Sequence, residues 1–302
     1  MPTTIPSPTM TATAAAVRRA LPRRGPRRLA AAATVAGLAV VLGTGGCADF
    51  RSVMANVGND LGRVTDSFTT RTEAAPRVLF ETAGPVEVDV DVFAGDVSVR
   101  VDPSVDGTIL RASRSARLGA GREDESTDSL ESIRIEADVV PGELGQRFVV
   151  RAASTHPEPY LQSATITIVV PEADGVAVRT GRGRITLRDV AGPLDLRTGD
   201  GRVRVTTDRR LVRDVAIETG AGDIDLRVPR GTAARLDLST GAGRIAHDVE
   251  TGRFRLLPGT TPRTVTAVID DAPNLFRLRT GDGDIRFAVT GRPNEVGRWI
   301  IR

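Results

Sequence analysis

The 302-residue chain has no lysine, one cysteine, two histidines, one tryptophan and one tyrosine. A lone cysteine closes no internal disulfide, so the fold must rest on packing and hydrogen bonds. His156 and His247 stand in unrelated contexts without ligand-spaced neighbours, which argues against a zinc centre or histidine-based catalysis. No Gly-x-Ser-x-Gly, Walker or Rossmann spacing occurs, and no cofactor is expected. One Trp and one Tyr leave little aromatic surface for sugar stacking. Helical periodicity is absent between residues 176 and 287.

All 41 basic residues are arginine, against 38 acids. Residues 1–46 hold six of those arginines and no acid, so the remainder carries 35 basic against 38 acidic residues. The basic excess therefore belongs to the amino terminus. Farther on, Arg202, Arg204, Asp223 and Asp225 mix both signs at outward strand positions. That pattern fits a solvated surface with cross-strand ion pairs, and no basic face for nucleic acid is segregated.

What is abundant is one repeated phrase. Five copies, at 176–187, 194–205, 215–226, 236–247 and 276–287, centre on Thr-Gly-x-Gly. Their corners are Thr180-Gly181-x-Gly183, Thr198-Gly199-x-Gly201, Thr219-Gly220-x-Gly222, Thr240-Gly241-x-Gly243 and Thr280-Gly281-x-Gly283. Counting from the Thr, offsets −4, −2, +5 and +7 give twenty positions, and only His247 is not apolar. A composition that is 40% hydrophobic would place about eight apolar residues there. Period-two alternation on both sides of a Gly-x-Gly makes two short strands joined by a tight corner, with both glycines expected at φ > 0. One unit cannot bury its apolar face, but a stack can. The Thr hydroxyls then form a column able to bond to neighbouring rungs. The Thr-to-Thr spacing is 18, 21, 21 and 40, which predicts one degenerate copy inside the last interval.

These rungs, with the lead-in Ala191-Gly192-Pro193 and the run from Gly222 to Leu226, resemble the Toastrack-type adhesin-like domain of bacteria. The resemblance covers roughly residues 76–302 and is strongest over 176–290. It implies an all-β protein built as a single β-solenoid, similar to a parallel β-helix, with rungs of roughly 20 residues. It transfers no catalytic or ligand residue.

Three segments follow. Residues 1–46 read as an export signal: arginine pairs at 18–19, 23–24 and 27–28, an apolar run at 29–42, then Gly45-Gly46-Cys47. Cys47 is the expected lipidation site, anchoring the chain at the outer face of a bacterial cytoplasmic membrane. Thr44 departs from the usual Leu or Val three positions before the cysteine, and an uncleaved anchor or free secretion are the alternatives. The arginine-only, alanine-rich composition resembles that of a high-GC actinobacterial protein. Residues 47–75 form a tether, with Val53, Val57, Leu61, Val64 and Phe68 at helical spacing. Residues 76–302 form the solenoid: diverged rungs over 76–170, regular rungs over 171–290 and a cap over 291–302 that includes Trp299. The stretch Ala83-Gly84-Pro85 echoes the later lead-in and marks an early rung. Strand-like runs continue at 108–112, 133–140, 148–152 and 165–170.

The expected function is a non-enzymatic binding or scaffold module of the cell envelope with a protein or envelope-component partner. An envelope-stress sensor is the second reading. The third is a polysaccharide-active enzyme using a carboxylate column of Asp200, Asp223, Asp225, Asp282 and Asp284, although Arg182, Arg184, Arg202 and Arg244 hold the same places in other copies. A calcium-binding roll is disfavoured because its period would be about nine and Ile224 sits where that motif needs Asp. Partner contact is expected at the segments that break the repeat, 119–128, 154–159 and 250–271.

Overall fold

The computed structural model describes residues 68–295 except 120, 121, 123, 124, 144, 251 and 272. The export segment, Cys47, the tether up to residue 67, and Trp299 lie outside the described residues.

Two ten-stranded sheets face each other across one apolar core. Among the described residues, seven two-stranded rungs stack in parallel, with the first strand of every rung in one sheet and the second in the other. In spatial order, rung 1 is Gln146–Ser154 with Gln162–Val170, and rung 2 is Val86–Val92 with Val97–Val101. Rung 3 is Ala173–Arg182 with Ile185–Arg188, and rung 4 is Ala191–Asp200 with Val203–Thr206. Rung 5 is Val215–Ala221 with Ile224–Pro229, rung 6 is Leu275–Asp282 with Ile285–Thr290, and rung 7 is Ala234–Ala242 with Ile245–Val249.

The period-two pattern is realised directly. Eighteen of the twenty repeat positions are buried, each aliphatic side chain contributing about 1.5–3 kcal/mol on leaving water. The two exceptions, Ile245 and His247, lie on the outermost strand of rung 7, where no further rung covers them. The His247 ring lies 4.9 Å from Phe254, so the polar copy of an apolar position occurs where the stack ends.

The corners explain the motif. Thr180, Thr198, Thr219, Thr280 and Thr240 fall in register across rungs 3 to 7. Each buried hydroxyl donates to the carbonyl of the second glycine one rung back: Thr219 Oγ1 to Gly201 O at 3.0 Å, Thr280 Oγ1 to Gly222 O at 2.9 Å, Thr240 Oγ1 to Gly283 O at 2.8 Å. The amide of that glycine donates forward, as from Gly222 N to Asp282 O at 2.6 Å. Only the second glycine has positive φ, +139° at Gly222; the first does not, which corrects the expectation for the pair. Gly220 is required for a different reason. A β-carbon there would collide with the carbonyl oxygen of Gly199, and one on Gly222 with that of Gly201.

Chain order and spatial order part company at both ends. No degenerate rung occupies the 40-residue interval. Instead Phe254–Leu256 and Thr264–Ile269 form an antiparallel pair outside rung 7. The chain then returns to insert rung 6 between rungs 5 and 7. At the other end rung 2 lies between rung 1, which follows it in sequence, and rung 3. Antiparallel strands Thr108–Gly119 and Ile133–Pro141 cover rung 1. Phe68–Ala74, at the end of the stretch expected as a tether, pairs antiparallel with Thr108–Gly119.

Glu250, just after rung 7, fastens the inserted rung. Its carboxylate accepts from Gly291 N at 3.0 Å, Thr290 Oγ1 at 2.9 Å and Arg230 Nη2 at 3.0 Å, joining the ends of rungs 5, 6 and 7. The Gly291 amide, then Thr290 and Arg230, hold this carboxyl below its ordinary range. A depressed pKa gives stability that is present above the unfolded-state value and is lost as pH falls through the folded-state value.

Two outcomes are expected. In urea denaturation Gly220→Ala and Gly222→Ala each cost about 1–3 kcal/mol, whereas Ala221→Ser between them changes stability by less than about 0.5 kcal/mol; equal effects at all three would contradict the corner geometry. Glu250→Gln lowers the melting temperature at pH 7 but converges with the parent by about pH 3. A gap of the same size at both pH values would mean the carboxylate charge does not contribute.

Candidate functional site

The outward rows spend their polar groups on structure. Arg202 pairs with Asp223 at 2.8 Å across rungs 4 and 5, and Arg179 with Asp195 at 2.9 Å across rungs 3 and 4. Asp223 Oδ1 accepts the amide of Asp284 at 3.0 Å, and Asp284 Oδ1 accepts that of Arg244 at 3.0 Å. These aspartates therefore cap the corner backbone of the next rung. One expectation fails: Asp225 is buried on the outward face, held in a two-pronged pair by Arg227 at 3.0 and 2.9 Å. Of the carboxylates read as a hydrolytic column, Asp223, Asp225 and Asp284 are thus engaged in different structural bonds. Among the described residues no group of three His, Cys, Asp or Glu side chains is arranged to hold a metal.

Where the repeat breaks, the structure is organised differently. Rung 1 has no Thr-Gly-x-Gly; its strands are joined by 155–161, which ends in a 3-10 turn at Pro159–Leu161. The insertion after Gly119 holds a short helix, α1 (Glu125–Glu131), with Leu130 in the core. The insertion is thus no free loop: its helix packs on the end of the stack.

The two segments form one ridge. The Arg122 guanidinium meets Glu125 Oε2 at 2.7 Å and Glu158 Oε2 at 2.9 Å. Beneath, buried Gln162 opens the second strand of rung 1, two residues before the buried Ala164 and four before the buried Ile166. Its Nε2 donates to Ser129 O, Ser129 Oγ and Ser132 Oγ at 2.6, 2.7 and 2.9 Å, while its Oε1 accepts from Ser154 Oγ. Gln162 therefore pins both α1 and the 155–161 connection to rung 1. His156 turns Nδ1 inward to accept Glu158 N at 3.0 Å, a local turn bond.

Tyr160 tops the ridge. It is 61% exposed. Its hydroxyl donates to Glu158 Oε1 at 2.9 Å, and its carbonyl accepts Arg182 Nη2 at 2.6 Å. The bond to Glu158 pushes the phenol up from its ordinary value, while Tyr160 and then Arg122 hold the Glu158 carboxyl down. Beside the tyrosine a hollow of about 480 Å³ opens on the outer face of the antiparallel end. Its floor carries Thr70, Ser115 and Ser163, and its sides Arg117, Tyr160 and Arg182.

The fifteen corner residues read from the repeat lie together in the corner column, and Thr180, which bonds Gly95 O at 3.2 Å, extends it to rung 2. Arg122, Glu158, Tyr160 and Gln162 carried no motif. The available signal was a polar residue, Gln162, opening the second strand of the one rung whose connection has no glycine corner.

Residues 161–287 match the Toastrack DUF4097 family, so the chain carries a Toastrack domain. Rung 2 and the first strand of rung 1, which precede the matched span, belong to the same stack. No curated protein matches the chain. Among solved structures, a putative cell adhesion protein from Clostridium sporogenes aligns at 12% identity and TM-score 0.48, over 73% of this chain and 99% of its own. A putative adhesin from Bacteroides fragilis aligns at 9% identity and TM-score 0.28, over 74% and 98%. A putative lipid binding protein from Parabacteroides distasonis aligns at 10% identity and TM-score 0.21, over 75% and 95%.

The tyrosine is unique in the chain, so its titration can be read without ambiguity. Absorbance near 295 nm should place its midpoint above the usual value of about 10, and Glu158→Gln should return it towards that value. A midpoint unmoved by the substitution would mean that the ridge does not hold the phenol.

Proposed function

We propose that this protein is a non-enzymatic binding module of the bacterial cell envelope. In this reading it is exported, held by a lipid on Cys47 at the outer face of the cytoplasmic membrane, and engages an envelope component through the ridge of α1 and residues 155–161. The observation that carries the reading is the division of labour over the surface. Outward polar groups of the regular rungs cap corners and pair across rungs, whereas the repeat-breaking segments are tied by Arg122 and Gln162 into one feature with an exposed aromatic. The order of basic, apolar and small residues before Cys47 supports export and anchoring.

Metabolic labelling with a radioactive fatty acid tests the anchor: Cys47→Ala should take up no label. Co-sedimentation of the full chain with purified, detergent-extracted envelope material tests the module. Arg122→Ala, which severs the link between the two halves of the ridge, should reduce the pelleted fraction at least about threefold while Asp223→Asn does not. Label entering the Cys47 variant would refute the anchor, and equal pelleting of both surface variants would refute the ridge as the contact.

A further inference from the structure

We infer that the hollow beside Tyr160 is a binding site for a sugar ring carrying one anionic group, a carboxylate or a phosphate. The inference deepens the binding-module reading and rests on it. Four features of the hollow point to that chemistry. Its volume, about 480 Å³, suits a single small ligand and not a polymer tract. Its floor is made of short hydroxyls: Ser115 and Ser163 face each other in strand register, with Thr70 on the adjoining strand. Farther along the same sheet the outward row turns charged, with Arg204, Asp225 and Arg286 in register on rungs 4 to 6. Hydroxyls that both donate and accept suit a polyol.

The sides supply the rest. Tyr160 offers an exposed ring whose orientation is held at two points, through its hydroxyl to Glu158 and through its carbonyl to Arg182. A ring fixed before binding loses little freedom when a sugar face packs on it. Arg182 replaces the small or acidic residue found between the corner glycines of the later rungs, Asp200, Ala221, Asp282 and Ala242. Among the described residues its polar partner is the Tyr160 carbonyl and no carboxylate, which leaves the planar fork of donors for an anion. Arg117 also lines the hollow, and no Asp or Glu does. The mixed-charge groove along rungs 1 to 6 differs in this respect, since Glu87, Asp195 and Asp214 line it together with its arginines.

Among the described residues Tyr160 is the one strongly exposed aromatic, which limits the site to one ring, in keeping with recognition of a terminal or branching residue. An acidic peptide is the competing occupant. It would use the arginines but gain nothing from the hydroxyl floor or the tyrosine face.

Calorimetric or saturation-transfer titration of the full chain distinguishes these cases. The probes are methyl β-glucuronide, glucose 1-phosphate, methyl β-glucoside, inorganic phosphate and triglutamate. One or both charged sugars should bind at least about tenfold more tightly than the neutral glucoside, phosphate alone or triglutamate, and which of the two binds tells carboxylate from phosphate. Tyr160→Ala should weaken that binding about tenfold, Tyr160→Phe by less than about threefold, and Arg182→Gln should erase the preference for the charged sugar. Tyr160→Phe also serves as the folded control. Absence of binding by either charged sugar, equal binding of the glucoside, phosphate or triglutamate, or an undiminished Tyr160→Ala variant would each overturn the site. Persistent envelope sedimentation under those results would leave the binding-module reading standing, whereas loss of sedimentation would remove that reading.

Discussion

The carbonyl oxygen of the second corner glycine organises the solenoid. It accepts the threonine hydroxyl of the next rung, and it lies so close to the α-carbon of that rung's second glycine that no β-carbon fits between. The contact is closer than strand spacing alone would make it, because the sheet turns its corner without a side chain. The same oxygen thus bears on two of the three corner residues. Threonine is needed as a donor, and one glycine for its φ. The other glycine answers to the carbonyl of its own predecessor, Gly199 in the case of Gly220. An inward threonine next to a corner would otherwise bury an unsatisfied hydroxyl, at a cost of about 1–3 kcal/mol. Here that group and the corner carbonyl satisfy each other on every regular rung.

Because every corner is alike, any rung can stack on any other, and the motif alone does not specify neighbours. Connection length does. Only four residues, 230–233, lead from rung 5 to rung 7, and they leave a vacant slot one rung wide. The antiparallel pair of Phe254–Leu256 and Thr264–Ile269 closes the far side, and the chain comes back to fill the slot. A simple solenoid loses stability one end rung at a time. In this protein the last rung of the chain is interior, so its loss would separate rung 7 and its cap from the rest, and Glu250 binds the three strand ends together at that point.

Much of this was legible before the fold was seen. Inward positions, corners and the threonine column follow from alternation and from the scarcity of other options for Thr-Gly-x-Gly. The early rung at 86–101 was legible from its echo of the later lead-in. The order of rungs 6 and 7 was not, because Thr240 and Thr280 sit in equivalent phrases and the period carries no information about which slot each fills. Nor was the first glycine's role: a close approach and a positive φ select the same residue. Asp225 was read as solvated since its alternation places it outward, and burial on that face depends on tertiary cover that a local pattern does not encode. The ridge was legible only as a pair of interruptions. That they meet depends on Gln162, a single polar residue in an otherwise aliphatic row.

The site lies at the end of the stack for a physical reason. Within the regular rungs many outward side chains serve the ladder: Arg179 with Asp195 and Arg202 with Asp223 pair across rungs, and Asp223 and Asp284 cap corners. A ligand would have to compete with those partners. Rung 1 is released from that constraint: its second strand pairs antiparallel with Thr108–Gly119, and the register brings Ser115 opposite Ser163. Its strand connection, freed from the glycine corner, has room for an aromatic residue. Arg182, on the first corner after the break, has an acid-free neighbour in Tyr160 and so keeps its donors. Departure from the repeat thus creates the hollow, the ring and the cation together, while the repeat supplies the rigid wall on which they are mounted.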